Sequence, residues 1–325
     1  MPAALVPLAA QHVPAAAALV TTGVARLREQ VPVLPAQWAD ERVVGRLVRA
    51  LAERGSGLAL QGEGGTLLGF QAATLLDGHG GRWAYTPDIA HATAGIPDTD
   101  RAIERLYAGL AERWVQEACV EHVVTVLADD GAALAAFGRL GFAPHVVDLV
   151  RDLGPVDGAS LPDGGDVRRA VPGDAPAVLE LHAALVRHLR SAPVFLRIPN
   201  APALEMQRRR IADPTGAVFV ATVDDRPVAF LRIGPSADDV ATIVRDKATA
   251  SITGAFTVPE LRGTGIGSAL LAEAVAWARE ARYVRCAVDH EAANGEASRF
   301  WSRHATPVAI SLARRLPPMT VPGVA

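Results

Sequence analysis

Lysine is almost absent from this chain: Lys247 stands alone among 32 basic residues, and the other 31 are arginine. With the abundant alanine, that scarcity is a genomic composition bias rather than a binding signal. Cysteine is nearly as rare. Cys119 and Cys286 are too few for a disulfide framework or a four-ligand zinc site, and each lies in an apolar run of the kind that buries free thiols. A reducing, cytoplasmic setting is therefore expected, with no metal. No Lys or Arg precedes Arg26, and Pro7 and Pro14 interrupt the alanine-rich start, so the pattern of a secretory leader is not met. No stretch reaches the roughly 18 uninterrupted apolar residues of a membrane helix. An excess of charge is missing too. The 32 basic and 35 acidic side chains leave a net charge of −3, without global attraction for nucleic acid or anionic lipid, although a local basic pocket stays open.

What is present suits a globular protein of two domains. The 325 residues are 50% hydrophobic with a mean hydropathy of +0.20, and at about 150 residues per domain that length predicts two cores. The stretch from Gly154 to Gly165 is rich in Gly, Pro and Asp and lies near the midpoint. The expected division is residues 1–153, a linker at 154–165, and residues 166–325. A faint repeat supports it: Trp114 and Trp277 are 163 apart, as are Phe137 and Phe300, while Phe70 and Phe230 are 160 apart. Duplication of a whole domain explains these offsets with one small insertion or deletion.

Periodicity orders the second half clearly. Val167 to Ala170 reads as a strand, and Asp174 as the cap of a helix carrying Val178, Leu181, Leu185 and Leu189; a further helix covers about Ala203 to Ile211. Ala217 to Val223 and Val228 to Ile233 form a hairpin, and Val240 to Val244 an extended stretch. Ala250 to Val258, Gly265 to Arg282 and Tyr283 to Asp289 make a βαβ unit with parallel strands. Ser298 to Arg303 is a short helix, and Val308 to Arg314 closes the sheet. The first half repeats the order with a hairpin of Leu58 to Leu60 and Thr66 to Ala72, a strand before Pro87, a helix from Arg101 to Glu117 and a strand from Val123 to Leu127.

The chemistry concentrates in Phe256-Thr-Val-Pro-Glu-Leu-Arg-Gly-Thr-Gly-Ile-Gly-Ser268. Gly263, Gly265 and Gly267 lie between a strand and a long helix, where missing side chains let backbone N–H groups approach a ligand and the helix start attracts negative charge. A pyrophosphate is the natural guest. The dipole contributes only about 0.3–1 kcal/mol per exposed anionic group, so Arg262 and several aligned amides are needed as well. A tight connection without a ligand fits the glycines alone equally. A dinucleotide fingerprint fails because Ser268 stands where its last glycine belongs, and a Walker loop fails for want of Gly-Lys-Ser/Thr.

Arg262-Gly263-Thr264-Gly265-Ile266-Gly267 resembles the R/Q-x-x-G-x-G/A signature of the GNAT superfamily of acyl-CoA-dependent N-acyltransferases, and the element order resembles that family from about Val167 to Arg315. The resemblance implies an α/β fold of two tandem domains, each a mixed, mostly antiparallel twisted sheet with a parallel βαβ unit and flanking helices. It also implies acetyl-CoA as donor. Pyrophosphate would sit on Arg262, Gly263, Thr264, Gly265, Ile266, Gly267 and Ser268, and pantetheine along Phe256, Thr257 and Val258, where a strand whose neighbour splays away offers unpaired amides. The first half lacks the loop: either register puts Thr99, Ala102 and Glu104, or Asp98, Arg101 and Ile103, where Arg262, Gly265 and Gly267 stand. It reads as a degenerate domain that buttresses the other, making the protein an internal pseudo-dimer as a monomer, or a homodimer.

Asp289, Glu291, Asn294, Phe300 and Trp301 resemble a subgroup of the same family with an Asp-x-Glu-x-x-Asn and Phe-Trp pattern. Better-studied relatives often carry a tyrosine acid at the position of Trp301, and Trp301 cannot serve. Asp289 and Glu291, two apart on a strand, share a face and are candidates to bind or deprotonate an ammonium acceptor; a solvated strand end is the alternative. Asn294 caps the short helix or bonds the cofactor arm. His290 and Cys286 read as structural, and Arg197 as a possible acceptor contact. The expected reaction is direct attack of a small amine on the thioester in a ternary complex, with the Phe256 N–H polarising the carbonyl. A non-catalytic acyl-CoA sensor is the alternative, and transfer to a protein N-terminus or a hydroxyl a third possibility.

Overall fold

The computed structural model describes residues 3–78, 81–238 and 240–317. Its mixed α/β chain forms two compact units. One takes residues up to Val147, together with Ala241–Ile243 and the stretch from Pro307 onward; the other takes Asp148–Val240 and Val244–Thr306. The units are thus not contiguous halves.

The first unit runs β1 (Ala4–Pro7), α1 (Val13–Gln30), α2 (Glu41–Glu53), β2 (Gly57–Gln61), β3 (Leu67–Ala72), β4 (Thr74–Gly78), β5 (Gly81–Thr86), β6 (His91–Thr93), α3 (Thr99–Gln116), β7 (Cys119–Leu127), α4 (Gly131–Arg139) and the start of β8 (Ala143–Asp152). One sheet has the order β1-β2-β3-β6, all antiparallel. A second pairs β4 antiparallel to β5 and β5 parallel to β7. The second unit follows with β9 (Gly165–Arg169), α5 (Ala175–Arg190), α6 (Leu204–Ala212), β10 (Ala217–Val223), β11 (Arg226–Pro235), β12 (Thr249–Thr257), α7 (Ile266–Glu280), β13 (Arg285–Glu291) and α8 (Gly295–His304). Its order is β13-β12-β11-β10-β9, antiparallel except for the parallel β12–β13 pair.

The last strand, β14 (Thr306–Arg315), corrects one expectation. It forms where predicted but lies antiparallel to β7 in the first unit, from Ala309↔Leu127 to Arg315↔Glu121. The reason is the apolar run of β7, which suits an interior strand and needs a ladder partner on each edge; β5 supplies one and β14 the other. Leu312 of β14 accordingly joins Tyr107, Trp114, Phe137 and Phe142 in that core. A second correction concerns Val240 to Val244. Thr242–Val244 is a single 3-10 turn, because the buried Asp88 carboxylate accepts the N–H groups of Thr242 (3.1 Å) and Ile243 (2.8 Å), which removes the need for a strand partner.

In the second unit, α5 and α6 bring Val178, Leu181 and Ile211 onto Val218, Val220, Phe230 and Phe256 of the sheet. Helix α7 buries Ile266, Leu270, Leu271, Ala274 and Val275 and packs on β10, β11 and β12. Asp174 does not cap α5 as expected: its carboxylate accepts from Val171 N (2.8 Å) and holds Arg168 through two bonds, and that pairing pulls its carboxyl below the usual range. Two features of β12 set up the site. Opposite β11 the register steps from Arg232↔Gly254 to Ile233↔Ile252, so Thr253 is an extra, bulged residue that bends the strand. Opposite β13 the parallel register ends at Ile252↔Val288, while β12 continues to Thr257 and β13 to Glu291. The two strands part beyond that point.

Candidate active site

Beside the end of β12, past its last pairing with β13, a cavity of about 750 Å³ opens within the second unit. Phe256 and Thr257 form its strand wall, Arg262 to Gly265, Gly267 and Ser268 its loop, and Asn294 with Glu296 and Trp301 its α8 side. That volume lies in the range of small-molecule sites. Most of the residues expected to hold a cofactor are therefore brought together. Ile266 is the exception on the loop: its side chain is buried in the core, so only its backbone faces the loop's work. Val258 does not line the cavity; it packs on the α5–α6 core.

The loop has the conformation its glycines permit. Gly263 and Gly265 sit at φ +80° and +94°, and Gly265 is the N-cap of α7. An α-helix leaves its first N–H groups without intrahelical acceptors, so the turn Gly265–Ser268 presents donors at the positive end of the helix dipole. A Cβ on Gly263 would meet nothing within 4 Å. That open face is what an incoming phosphate needs. Gly265 is crowded instead: a Cβ there would lie 2.8 Å from the backbone oxygen of Ser160 and 3.1 Å from its nitrogen. The segment read from composition as a linker thus folds onto the loop, with Ser160 Oγ donating to the Thr264 carbonyl (3.3 Å) and Asp157 and Gly158 lining the cavity.

Arg262 is fixed by three contacts: its Nε donates to the Thr257 carbonyl at 3.1 Å, its guanidinium stacks on Phe256 at 5.5 Å, and its Nη1 is paired with Glu296. It ties the loop to the strand end. Asn294 caps α8, its Oδ1 accepting from Ala297 N (3.1 Å), and it is buried at the cavity wall. Ser268 Oγ meets His304 Nε2 at 3.1 Å, and burial lowers the His304 imidazole from its ordinary value. Trp301 is buried against Phe300, at 4.8 Å between rings.

Neither Asp289 nor Glu291 lines the cavity. Asp289 is exposed and Glu291 half-buried, whereas His290 between them is buried with Nδ1 3.0 Å from the Glu291 carbonyl oxygen. Cys286 is buried as expected and its thiol is pushed up to about 12 by desolvation, which excludes a thiolate nucleophile at neutral pH. Arg197 is exposed and away from the cavity. Sequence reasoning missed Ser160, His188 and Glu296. Glu296 carried a weak signal as the acid in the first turn of α8; Ser160 and His188 carried none.

A bulged strand, a glycine loop and a helix N-terminus around one cavity make up an α/β fold of the GNAT type. Residues 184–305 match the sequence model of the acetyltransferase (GNAT) family. Among solved structures, a GCN5-related N-acetyltransferase from Sphaerobacter thermophilus shares the fold at a TM-score of 0.55 and 16% identity, over 98% of this chain and 98% of that one. A tandem GNAT protein from the clavulanic acid biosynthesis pathway aligns at a TM-score of 0.46 and 14% identity, over 98% of this chain and 100% of that one. No curated protein sequence matches the chain. The resemblance read from the glycine loop holds. Among the described residues, no helix is long and apolar enough to cross a membrane.

Proposed function

We propose that the second unit is an acetyl-CoA-dependent N-acetyltransferase acting on a small amine. The observation that carries this reading is the open, positive-φ Gly263 beside the N-terminus of α7, at one end of a cavity whose other wall is Phe256 on the parted strand. The pyrophosphate is assigned to the amides of the 263–268 turn, and the pantetheine arm to the backbone of Phe256 and Thr257, which β13 no longer pairs. In the β11 ladder Val258 N donates to Val228 O (3.0 Å), so the N–H of Phe256, opposite Phe230, faces β11 too and does not have the expected role; the thioester carbonyl is assigned instead to the Thr257 N–H on the opposite edge, an oxyanion-type donor whose loss typically costs 10²–10³ in rate. A neutral amine nitrogen attacks the carbonyl carbon, the C–S bond breaks, and the coenzyme leaves as its thiol. Asp289 and Glu291 lie outside the cavity, so the proton-transfer role expected of them passes to a group inside it. The first unit, whose α3 begins without the glycine loop, is assigned no donor site. A cytoplasmic location accords with its two buried free thiols.

The second reading, an acyl-CoA sensor without turnover, is favoured by one observation: buried Trp301 has no ionisable proton to give the departing thiolate. Incubation of the protein with acetyl-CoA and a panel of arylalkylamines, polyamines and amino acids, with free thiol followed over time, separates the two. Turnover with any acceptor supports the enzyme; saturable acetyl-CoA binding with no turnover across the panel supports the sensor.

A further inference from the structure

The cavity holds one titratable pair that no motif announced. His188 stands in the last turn of α5, and its Nε2 lies 3.7 Å from Glu296 Oε2, within ion-pair reach. Glu296, in the first turn of α8, is also the partner of Arg262, which stacks on Phe256. Three elements distant in sequence thus meet in one place, since His188, Glu296 and Arg262 line the same cavity as Phe256.

We propose that His188 is the proton-transfer group of the acetyl transfer and that Glu296 is its positioning residue. This inference rests on the acetyltransferase reading above. Glu296, itself held in place by Arg262, keeps Nε2 as the protonated nitrogen and leaves Nδ1 to accept. As the acceptor nitrogen bonds to the thioester carbon and the C–S bond breaks, the nitrogen's proton passes to His188 Nδ1. The imidazolium, paired with Glu296, then returns a proton to the coenzyme thiolate, so one group performs both the base step and the acid step that Trp301 cannot. The other charged groups around the cavity are Asp157, Arg262, Arg299, Arg303 and His304. Of these, His304 is engaged with Ser268 and Arg262 with Glu296, Thr257 and Phe256.

The test uses the full chain with His188→Gln and Glu296→Gln. With whichever panel amine the native protein turns over, His188→Gln is expected to lower kcat by about 10²–10⁴, to leave the Kd for coenzyme A within about twofold, and to abolish the acidic limb of the kcat/KM profile. Glu296→Gln is expected to shift that limb to lower pH. A His188→Gln kcat within about threefold of native overturns the proposal. A readout independent of any acceptor is the NMR titration of the His188 ring in the coenzyme-A-bound protein. A lower midpoint in Glu296→Gln supports the pairing, and an unmoved midpoint overturns it. Failure of the native chain to bind coenzyme A would instead overturn the acetyltransferase reading and is seen separately by calorimetry.

Discussion

Replacing Gly265 and Gly263 by alanine separates two physical demands on the same loop. Both residues have φ values that L side chains rarely adopt, +94° and +80°, and holding an alanine there costs about 1–2 kcal/mol. If the loop relaxes to relieve that cost, its amides lose their alignment, and each 1.4 kcal/mol or so is tenfold in affinity. Gly263→Ala meets no neighbour within 4 Å, so conformational strain is its whole penalty, about five- to thirtyfold in the Kd for coenzyme A. Gly265→Ala carries the same strain and also places a methyl 2.8 Å from the Ser160 backbone oxygen, a contact that forces the 157–160 segment or the loop to move. Its loss should exceed roughly thirtyfold. Isothermal calorimetry with coenzyme A, beside a circular dichroism spectrum to confirm folding, reads both. Equal losses in the two variants would refute the part assigned to Ser160, and native affinity in both would refute the loop as a phosphate site.

Three further outcomes are expected. Burial lowers the His122 imidazole of the first unit and the His182 imidazole of the second to about 4, from an ordinary 6.5; the folded chain therefore favours the neutral rings, so stability is retained above pH 6.5 and lost as pH falls toward 4. For His122, which is fully buried and bonded to the Tyr107 hydroxyl at 2.9 Å, the loss is about 3 kcal/mol; urea midpoints should fall over that window and fall less in His122→Gln, and a flat profile between pH 7 and 4.5 would contradict this. Neither Cys119 nor Cys286 should react with a thiol reagent in the folded protein, since both are buried with raised thiol values, and both should react in denaturant; this also secures a low background for thiol-release assays. Asp88→Ala should destabilise by about 2–4 kcal/mol in chemical denaturation, because the Thr242 and Ile243 amides lose a charged, buried acceptor; a change under about 0.5 kcal/mol would show that water replaces it.

Local chemistry was legible wherever its cause is local. The alternation of Ala217 to Val223, the apolar spacing of α7 and the glycines at its start are set by neighbours a few residues away, and the structure shows β10, α7 and the positive-φ loop in those places. What the sequence hid depends on distant partners. The pairing of β14 with β7 spans nearly two hundred residues, and nothing in the pattern of Val308 to Arg314 says which edge it will meet. Thr242 and Ile243 turn because Asp88 is there to receive them, a contact with no local signature. The 154–165 segment has the Gly, Pro and Asp content of a linker, yet that same freedom lets Ser160 approach Gly265 closely. Alternation puts the carboxylates of Asp289 and Glu291 on one face of a strand, but whether that face meets a cavity depends on residues far away in sequence. His188 and Glu296 sit on helices more than a hundred residues apart, and only the fold brings them within reach.

The most direct measurement is calorimetric titration of the intact protein with coenzyme A. Saturable binding of one equivalent, abolished or weakened beyond about thirtyfold by Gly265→Ala, is the predicted result. Heat no greater than that of dilution, from a natively folded sample, would contradict it.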